Sequence, residues 1–313
     1  RRCGDRMSLH TQTLPDWIAV DWGTSNLRVF AMTAEGAVLD EVRSDQGMSS
    51  LSPEEFEPVL RNLINEWTLP TPCTVIACGM VGSRQGWQEA PYRAVPCAAQ
   101  SSSPVNANCQ GDDLKVWLVA GIKQAIPADV MRGEETQIAG FLHLNPNWDG
   151  VICLPGTHSK WVHVSAGEIV SFRTFMTGEL FDVISTGTVL RHSLGGEDLD
   201  DATFATAVSD TLSRPEKFAA NLFSLRAANL LAGQRPAVAR AQLSGSLIGL
   251  ELAAARPYWL GQNVALIGAN RLTALYESAL KEQGIPVLIT DAAPVTLAGL
   301  SATYKALNRK TSV

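Results

Sequence analysis

Two short stretches of this 313-residue sequence set the same residue types in the same order: Asp21–Phe30, "DWGTSNLRVF", and Leu154–Val164, "LPGTHSKWVHV". Each has Gly-Thr at a turn, a small hydroxyl residue just behind it, and a basic residue inside the apolar run that follows. A hairpin tip made of Gly, Thr and Ser presents backbone N–H groups with no side chain in the way. Such a nest suits phosphate oxygens, and the hydroxyls add donors. Gly23, Thr24 and Ser25 form the first set; Gly156, Thr157, His158 and Ser159, with Lys160 beside them, form the second. Asp21, at the first turn, is of the type that holds Mg²⁺, directly or through water. One Gly-Thr-Ser hairpin by itself is only a turn. His158 reads equally as a turn residue satisfying its own loop, and Lys160 equally as a strand residue facing solvent. Two such hairpins at matching places read as a clamp on a polyphosphate.

Phosphoryl transfer asks mainly for positioning and charge stabilisation, together with a carboxylate that receives the acceptor's proton. "RGEETQIAG" puts Glu134 and Glu135 at a helix start shortly before the second hairpin. They read either as the source of that base or as plain complements to the helix dipole. Asp182, in "GELFDVIS", is the competing base and equally a helix-surface charge.

The elements that must carry these residues come in a repeating order. "WIAVDWG", "LRVFAMT" and "AVLDEVR" read as three strands separated by tight turns. "SPEEFEPVLRNLINEW" opens with Ser52 as N-cap and Pro53 at the first helical position. Phe56, Val59, Leu60, Leu63, Ile64 and Trp67 follow at helical spacing. "CTVIACG" reads as a buried strand. From Gly79 to Asp113 the sequence is irregular and predicts a functional or mobile segment. From Gly150 the order restarts with "VICLPG", "KWVHVS" and "EIVSFRTFM", an internal repeat. Long helical patterns follow at "RPEKFAANLFSLRAANLLAG" and "RPAVARAQLSGSLIGLELAAAR". The end alternates strand and helix: "VALIGAN", "RLTALYESALKEQ", "IPVLITD", "APVTLAGLSATYKAL". The expectation is an α/β protein of two similar domains. Residues 1–12 are set aside as a leader, residues 13–148 form an N-terminal substrate and phosphate domain, and residues 149–313 form a C-terminal nucleotide domain with extra helices.

Composition sets the outer bounds. Apolar residues at 46% and charged residues at 18% describe an ordinary globular chain. A net charge of −6 with no basic block argues against a nucleic-acid partner. No apolar run approaches the roughly 18 residues that would span a bilayer, so no membrane partner is expected. The six cysteines lack any CxxC pair and read as reduced thiols of a cytoplasmic protein. A homo-oligomer is left open.

"VDWGTSNLRVF", "ACGMVGSRQGW", "MRGEETQIAG", "CLPGTHSKWV", "FRTFMTGELF" and "IGANRLTALY" occur in this order along nearly the whole chain. With them the sequence resembles the sugar kinase, hsp70 and actin superfamily and, within it, the 2-dehydro-3-deoxygalactonokinase family. The resemblance implies two ribonuclease-H-like domains (the actin-like ATPase fold) with an interdomain cleft. It implies ATP with Mg²⁺ as donor and transfer to O6 of 2-dehydro-3-deoxy-D-galactonate, in galactonate breakdown. It implies Gly268, Ala269 and Asn270 at the adenosine. For a keto acid, "GMVGSRQGW" offers Ser83, Arg84 as the carboxylate's bidentate partner, and Trp87 to cover an apolar flank. The alternative for Trp87 is a core position and for Arg84 a surface one. Thr177 and Gly178 are expected to present N–H groups to sugar acid or nucleotide. One departure is visible: the second phosphate loop of the superfamily often carries Asp before its glycines, where this chain has Leu154-Pro155, so Asp21 inherits more of the metal's weight. Two readings compete with the kinase: a polyphosphate or nucleotide phosphatase on the same fold, and a non-catalytic ATP-binding module.

Overall fold

A computed structural model describes residues 13–268 and 270–311. The expected leader, residues 1–12, lies outside them. In chain order the first strands are β1 (Trp17–Trp22), β2 (Leu27–Met32) and β3 (Val38–Ser44), followed by α1 (Phe56–Leu63) and β4 (Cys73–Gly79). Ser52 caps the α1 region as expected: its backbone N–H donates to Glu55 Oε2 at 2.7 Å, and Pro53–Glu55 form a 3₁₀ turn before the helix proper. Three two-residue strands lie within the irregular stretch, β5 (Arg93–Ala94), β6 (Cys97–Ala98) and β7 (Val105–Asn106), and β8 (Leu114–Leu118), β9 (Ile122–Gln124) and β10 (Asp129–Met131) follow it. Its polar composition hid the fact that β5, β6 and β7 each end a sheet. Next come α2 (Glu134–Leu144), β11 (Gly150–Leu154), β12 (Ser159–Ser165) and β13 (Glu168–Phe175). A run of helices follows: α3 (Thr177–Gly187), α4 (Asp201–Ser213), α5 (Phe218–Ala232), α6 (Pro236–Ala254) and α7 (Arg256–Trp259). The chain closes with β14 (Val264–Ile267), α8 (Asn270–Glu282), β15 (Val287–Thr290) and α9 (Ala292–Thr311).

The internal repeat appears directly in the sheet orders. One six-stranded sheet runs β3-β2-β1-β4-β8-β7 and the other β15-β14-β11-β12-β13-β6. In each, an antiparallel triplet (β1–β3, β11–β13) continues into two parallel strands beside its first member. The α/β class and the duplicated unit are as the sequence predicts.

Among the described residues, contacts divide the chain into two compact units, one made of residues up to 92, 100–121 and those from 297 on, the other of residues 93–99 and 122–296. The expected boundary between residues 148 and 149 is therefore not where the contacts fall. Residues 122–148 pack with the second unit, and most of α9 packs with the first. The reason lies in the cores. Ile122, Met131, Ile138 and Phe141 are buried against Ile152, Leu154, Val162 and Phe172 of the second sheet. Leu297, Leu300, Tyr304 and Leu307 cover Trp17, Phe30, Met32 and Ile76 of the first. Alternation along β1 sends Ile18, Val20 and Trp22 to the opposite face, where α1 supplies Phe56 and Leu60.

Candidate active site

In the first unit, β1 and β2 pair through Trp22 and Leu27, leaving Gly23–Asn26 as the hairpin tip. The Gly23 N–H donates to the Asn26 carbonyl at 2.8 Å, and Thr24 and Ser25 are exposed. A second segment braces this tip from behind. Met48 N–H donates to the Gly23 carbonyl at 3.0 Å, and Ser49 donates to the Thr24 carbonyl through both its N–H (2.9 Å) and its hydroxyl (2.8 Å). A Cβ on Gly47 would stand 2.4 Å from the Thr24 carbonyl oxygen, so only glycine permits this approach.

Asp21 lies just before the tip. Its Oδ2 accepts from Arg28 Nη2 at 2.5 Å, and the Cys78 thiol sits 3.9 Å from its Oδ1. Among the described residues no group of three or more His, Cys, Asp or Glu side chains could hold a metal ion. A single hard carboxylate fits Mg²⁺ bound mostly through phosphate oxygens and water. Asp21, with Gly23, Asn26, Arg28 and Arg43, borders a cavity of about 370 Å³.

The loop after β4 carries the residues expected to meet a sugar acid. Ser83 is buried, and its hydroxyl has no hydrogen-bond partner among the described residues. Arg84 is 81% exposed, with Glu89 at 3.9 Å. Trp87 is committed largely to the core: its ring lies 6.5 Å from that of Trp22 and 6.4 Å from that of Phe56. The loop itself is tightly folded, since a Cβ on Gly86 would meet the Val81 carbonyl oxygen at 2.2 Å.

The second unit repeats the braced tip. Gly156, Thr157 and His158 join β11 to β12, and the first turn of α3 packs against them. A Cβ on Gly178 would stand 2.4 Å from the Gly156 carbonyl oxygen, and the Glu179 N–H donates to the Thr157 carbonyl at 3.0 Å. His158 Nε2 lies 2.5 Å from Glu179 Oε2. Gly156, Thr157, Thr177 and Gly178 line one end of a cavity of about 390 Å³, whose other walls include Leu247 and Leu275. Ser159 is fully buried and faces α8, its Oγ 2.9 Å from the Tyr276 hydroxyl. Thr177 hydrogen-bonds Glu251. Sequence reading missed Glu251 and Tyr276 as parts of this site; the available signal was a lone acid within the apolar run "LIGLELAAA".

Lys160 points away from this loop. It is 5% exposed, and its Nζ donates to Thr174 Oγ1 at 2.7 Å and to the Val130 carbonyl at 3.1 Å, with Glu134 Oε1 at 4.0 Å. Period-two alternation forces this: Ser159 and Lys160 are neighbours on β12 and so face opposite sides of the sheet. Lys160 thus belongs with the glutamates.

The two glutamates differ. Gly133, at φ 105°, caps α2. Glu135 is 0% exposed; its Oε2 accepts the Gly133 N–H at 2.6 Å, and its Oε1 lies 3.3 Å from the Thr136 hydroxyl. Burial, then the neighbouring Glu134 charge, pushes its carboxyl up to about 8. The Glu134 side chain keeps 27% exposure, and its Oε2 accepts the Arg132 N–H at 3.0 Å. Burial raises its carboxyl too, against the opposing pull of Lys160.

Asp182 lies exposed on α3, with its carbonyl accepting the Ser185 and Thr186 hydroxyls. No described contact brings it to the glutamates or to the loop. Gly268 follows β14 close to Pro155: its added Cβ would be 3.6 Å from the Pro155 carbonyl oxygen and 2.7 Å from Thr273 Oγ1. Asn270 opens α8, and Ala269 lies outside the described residues.

Comparison with known proteins decides the lineage. The family model for 2-keto-3-deoxy-galactonokinase matches residues 21–303. The chain belongs to the 2-keto-3-deoxy-galactonokinase family. Its relatives include "Probable 2-dehydro-3-deoxygalactonokinase DgoK1" of Rhizobium meliloti (strain 1021), 41% identical over 93% of this chain and 97% of that protein. Another is the 2-dehydro-3-deoxygalactonokinase of Escherichia coli (strain K12), 34% identical over 87% of this chain and 91% of that protein. A crystal structure of a Sinorhizobium meliloti protein carrying the same enzyme name superposes with a TM-score of 0.86 at 40% identity, covering 93% of this chain and 99% of that one. The fold extends further, to the activator of 2-hydroxyisocaproyl-CoA dehydratase from Clostridium difficile, solved with bound ADPNP. That likeness has a TM-score of 0.52 at 12% identity, over 95% of this chain and 97% of that one. The 2-keto-3-deoxy-galactonokinase match encloses both braced hairpins, the α2 glutamates and the Glu251–Tyr276 pair.

Proposed function

We propose that the protein is an ATP-dependent sugar-acid kinase, transferring the γ-phosphoryl group to O6 of 2-dehydro-3-deoxy-D-galactonate in galactonate catabolism, in the cytoplasm. Family membership supplies the reaction. The observation that carries the assignment of residues is the braced Gly156–Thr157 tip opening onto a cavity of about 390 Å³ with apolar walls. Phosphates are met by the tip and the first turn of α3, where backbone N–H groups and the helix's positive end favour anions. The base enters between Leu247 and Leu275. The first hairpin, Gly23–Ser25, is by its own build a phosphate-binding tip of the first unit. Asp21 is the residue that would hold Mg²⁺, which when bound neutralises phosphate charge as the transfer proceeds.

Glu134 takes the proton from the O6 hydroxyl. It is the less buried member of the pair, and Lys160 beside it favours the ionised form. Glu135, protonated at neutral pH and committed to the α2 cap, shapes the turn. In the first unit, the buried Ser83 hydroxyl and the exposed Arg84 guanidinium are groups of the kinds that bind the hydroxyls and carboxylate of a sugar acid. Incubation with ATP, Mg²⁺ and the keto acid is expected to release ADP and form 2-dehydro-3-deoxy-6-phosphogalactonate in equal amounts. Free inorganic phosphate in place of the sugar phosphate would reassign the site to a phosphatase. ATP binding without acceptor-dependent turnover would leave a binding module.

A further inference from the structure

Glu251 is a carboxylate in the middle of α6, 2% exposed, in an otherwise apolar stretch of helix. A buried charge of this kind costs several kcal/mol unless its lone pairs are filled. Here they are filled from three elements at once. The Trp161 indole N–H of β12 donates to Oε1 at 2.7 Å. The Tyr276 hydroxyl of α8 donates to Oε2 at 2.7 Å, and the Thr177 hydroxyl, at the head of α3, donates to the same oxygen. Because Tyr276 spends its proton on Glu251, the Ser159–Tyr276 contact of 2.9 Å has Ser159 as donor. Ser159 Oγ in turn accepts the Gly156 N–H at 3.5 Å. Every hydrogen in the chain Gly156 → Ser159 → Tyr276 → Glu251 therefore points one way, toward the carboxylate.

We infer that Glu251 is the positioning residue of the nucleotide site: by fixing the direction of these hydrogen bonds it locks the Gly156–Thr157 tip and the first turn of α3 into one register. The inference rests on the reading that the cavity beside this tip takes the nucleotide. An acceptor-only group is required. The amide of a glutamine would oppose one N–H to the Trp161 N–H, or else turn its NH₂ toward Tyr276 and Thr177. In the second case the Tyr276 proton swings onto Ser159, whose oxygen must then accept from Tyr276 and the Gly156 N–H at once while its own hydrogen loses the Tyr276 acceptor, and the hold on the tip weakens.

The test compares Glu251→Gln and Tyr276→Phe with the unmodified enzyme. In both variants the KM for ATP is expected to rise about tenfold, the loss of one hydrogen bond to a charged group. The KM for the sugar acid should stay within about twofold, and the stabilisation of the fold by saturating ADP should shrink by the same factor in affinity. If Glu251→Gln does not fold, Tyr276→Phe carries the test, since it removes only the hydroxyl. An unchanged KM for ATP in a folded variant, with only the melting temperature lowered, would overturn the inference and leave the network as packing. Calorimetry of the unmodified protein with ADP separates the two levels. No binding there defeats the nucleotide reading itself, while normal binding with indifferent variants defeats only the role of Glu251.

Discussion

Glu134 and Glu135 are adjacent and chemically identical, yet the helix start sends them into different surroundings, and three expectations follow. First, Glu134→Gln should lower kcat by about 10²–10⁴ with both KM values little changed, the usual range for a lost general base. Steady-state kinetics check it, and Glu135→Gln should fall well short of that loss. Second, Lys160→Met removes the cation 4.0 Å from Glu134. The other groups around Glu134 include Glu135 on the same helix, Arg132 just before it, His158 at the hairpin tip, and Asp129, which reaches Lys160 through the Thr174 hydroxyl. With the favourable charge gone, the Glu134 carboxyl rises, so the acidic limb of the kcat profile should move to higher pH by about one unit. Third, Glu135 titrates near 8 in the fold and near 4.5 when exposed. Its folded value is the higher one, so its contribution to stability is complete below about pH 4.5 and is lost as pH rises toward 8. Glu135→Gln keeps an acceptor for the Gly133 N–H and turns its NH₂ to the Thr136 hydroxyl, which changes from donor to acceptor. It should therefore match the parent in urea at pH 5 and exceed it at pH 9.

At the scale of elements, each Gly-Thr tip depends on a distant glycine that lets another backbone touch it: Gly47 behind Thr24, and Gly178 behind Gly156. Gly178→Ala places a methyl 2.4 Å from a carbonyl oxygen, so α3 must shift off the hairpin. The expected result is a raised KM for ATP and a fold weakened by roughly 1–3 kcal/mol, as for other overpacked contacts. Nucleotide titration and denaturant unfolding read the two effects. The same device packs α4 on α6, where a Cβ on Gly245 would lie 2.6 Å from the Phe204 carbonyl oxygen and one on Gly249 2.7 Å from that of Val208. The tips themselves were legible in the sequence because turn glycines and hydroxyls are local signals. The braces were not, since nothing near Gly47 or Gly178 says which carbonyl they must approach. α4 was overlooked because "DATFATAVSDTLS" is poor in strong helix formers, and its burial of Phe204, Val208 and Leu212 against α6 outweighs that weakness.

For the whole molecule, the chain passes between its two units more than once, and each unit is completed by residues remote in sequence. The first sheet owes one of its faces to α9. Trp17 stacks on Tyr304 with ring centroids 4.6 Å apart, and Leu300 is wholly buried beside them. Leu300→Ala should therefore cost about 2–5 kcal/mol. Deleting residues 297–313 should leave the first unit's sheet exposed and the protein aggregated, as size-exclusion chromatography would show. An elution profile unchanged from the parent would mean that α9 is dispensable to that core.

What the sequence determined alone is what local chemistry encodes: the strand and helix periods, the turn glycines, the duplicated order of elements, and the pairing of hydroxyl-rich tips with a glutamate-headed helix. The tertiary structure decided which of these residues work together. Lys160 sits one residue after Ser159, but strand alternation turns it to the other face, away from the second hairpin tip and toward Glu134. Glu251 is far from the hairpins along the chain, yet packing α6 against β12 and α8 makes it the acceptor on which the second tip rests. Hydrogen-bond direction and burial are properties of neighbours in space, and neighbours in space are fixed only once the cores have closed.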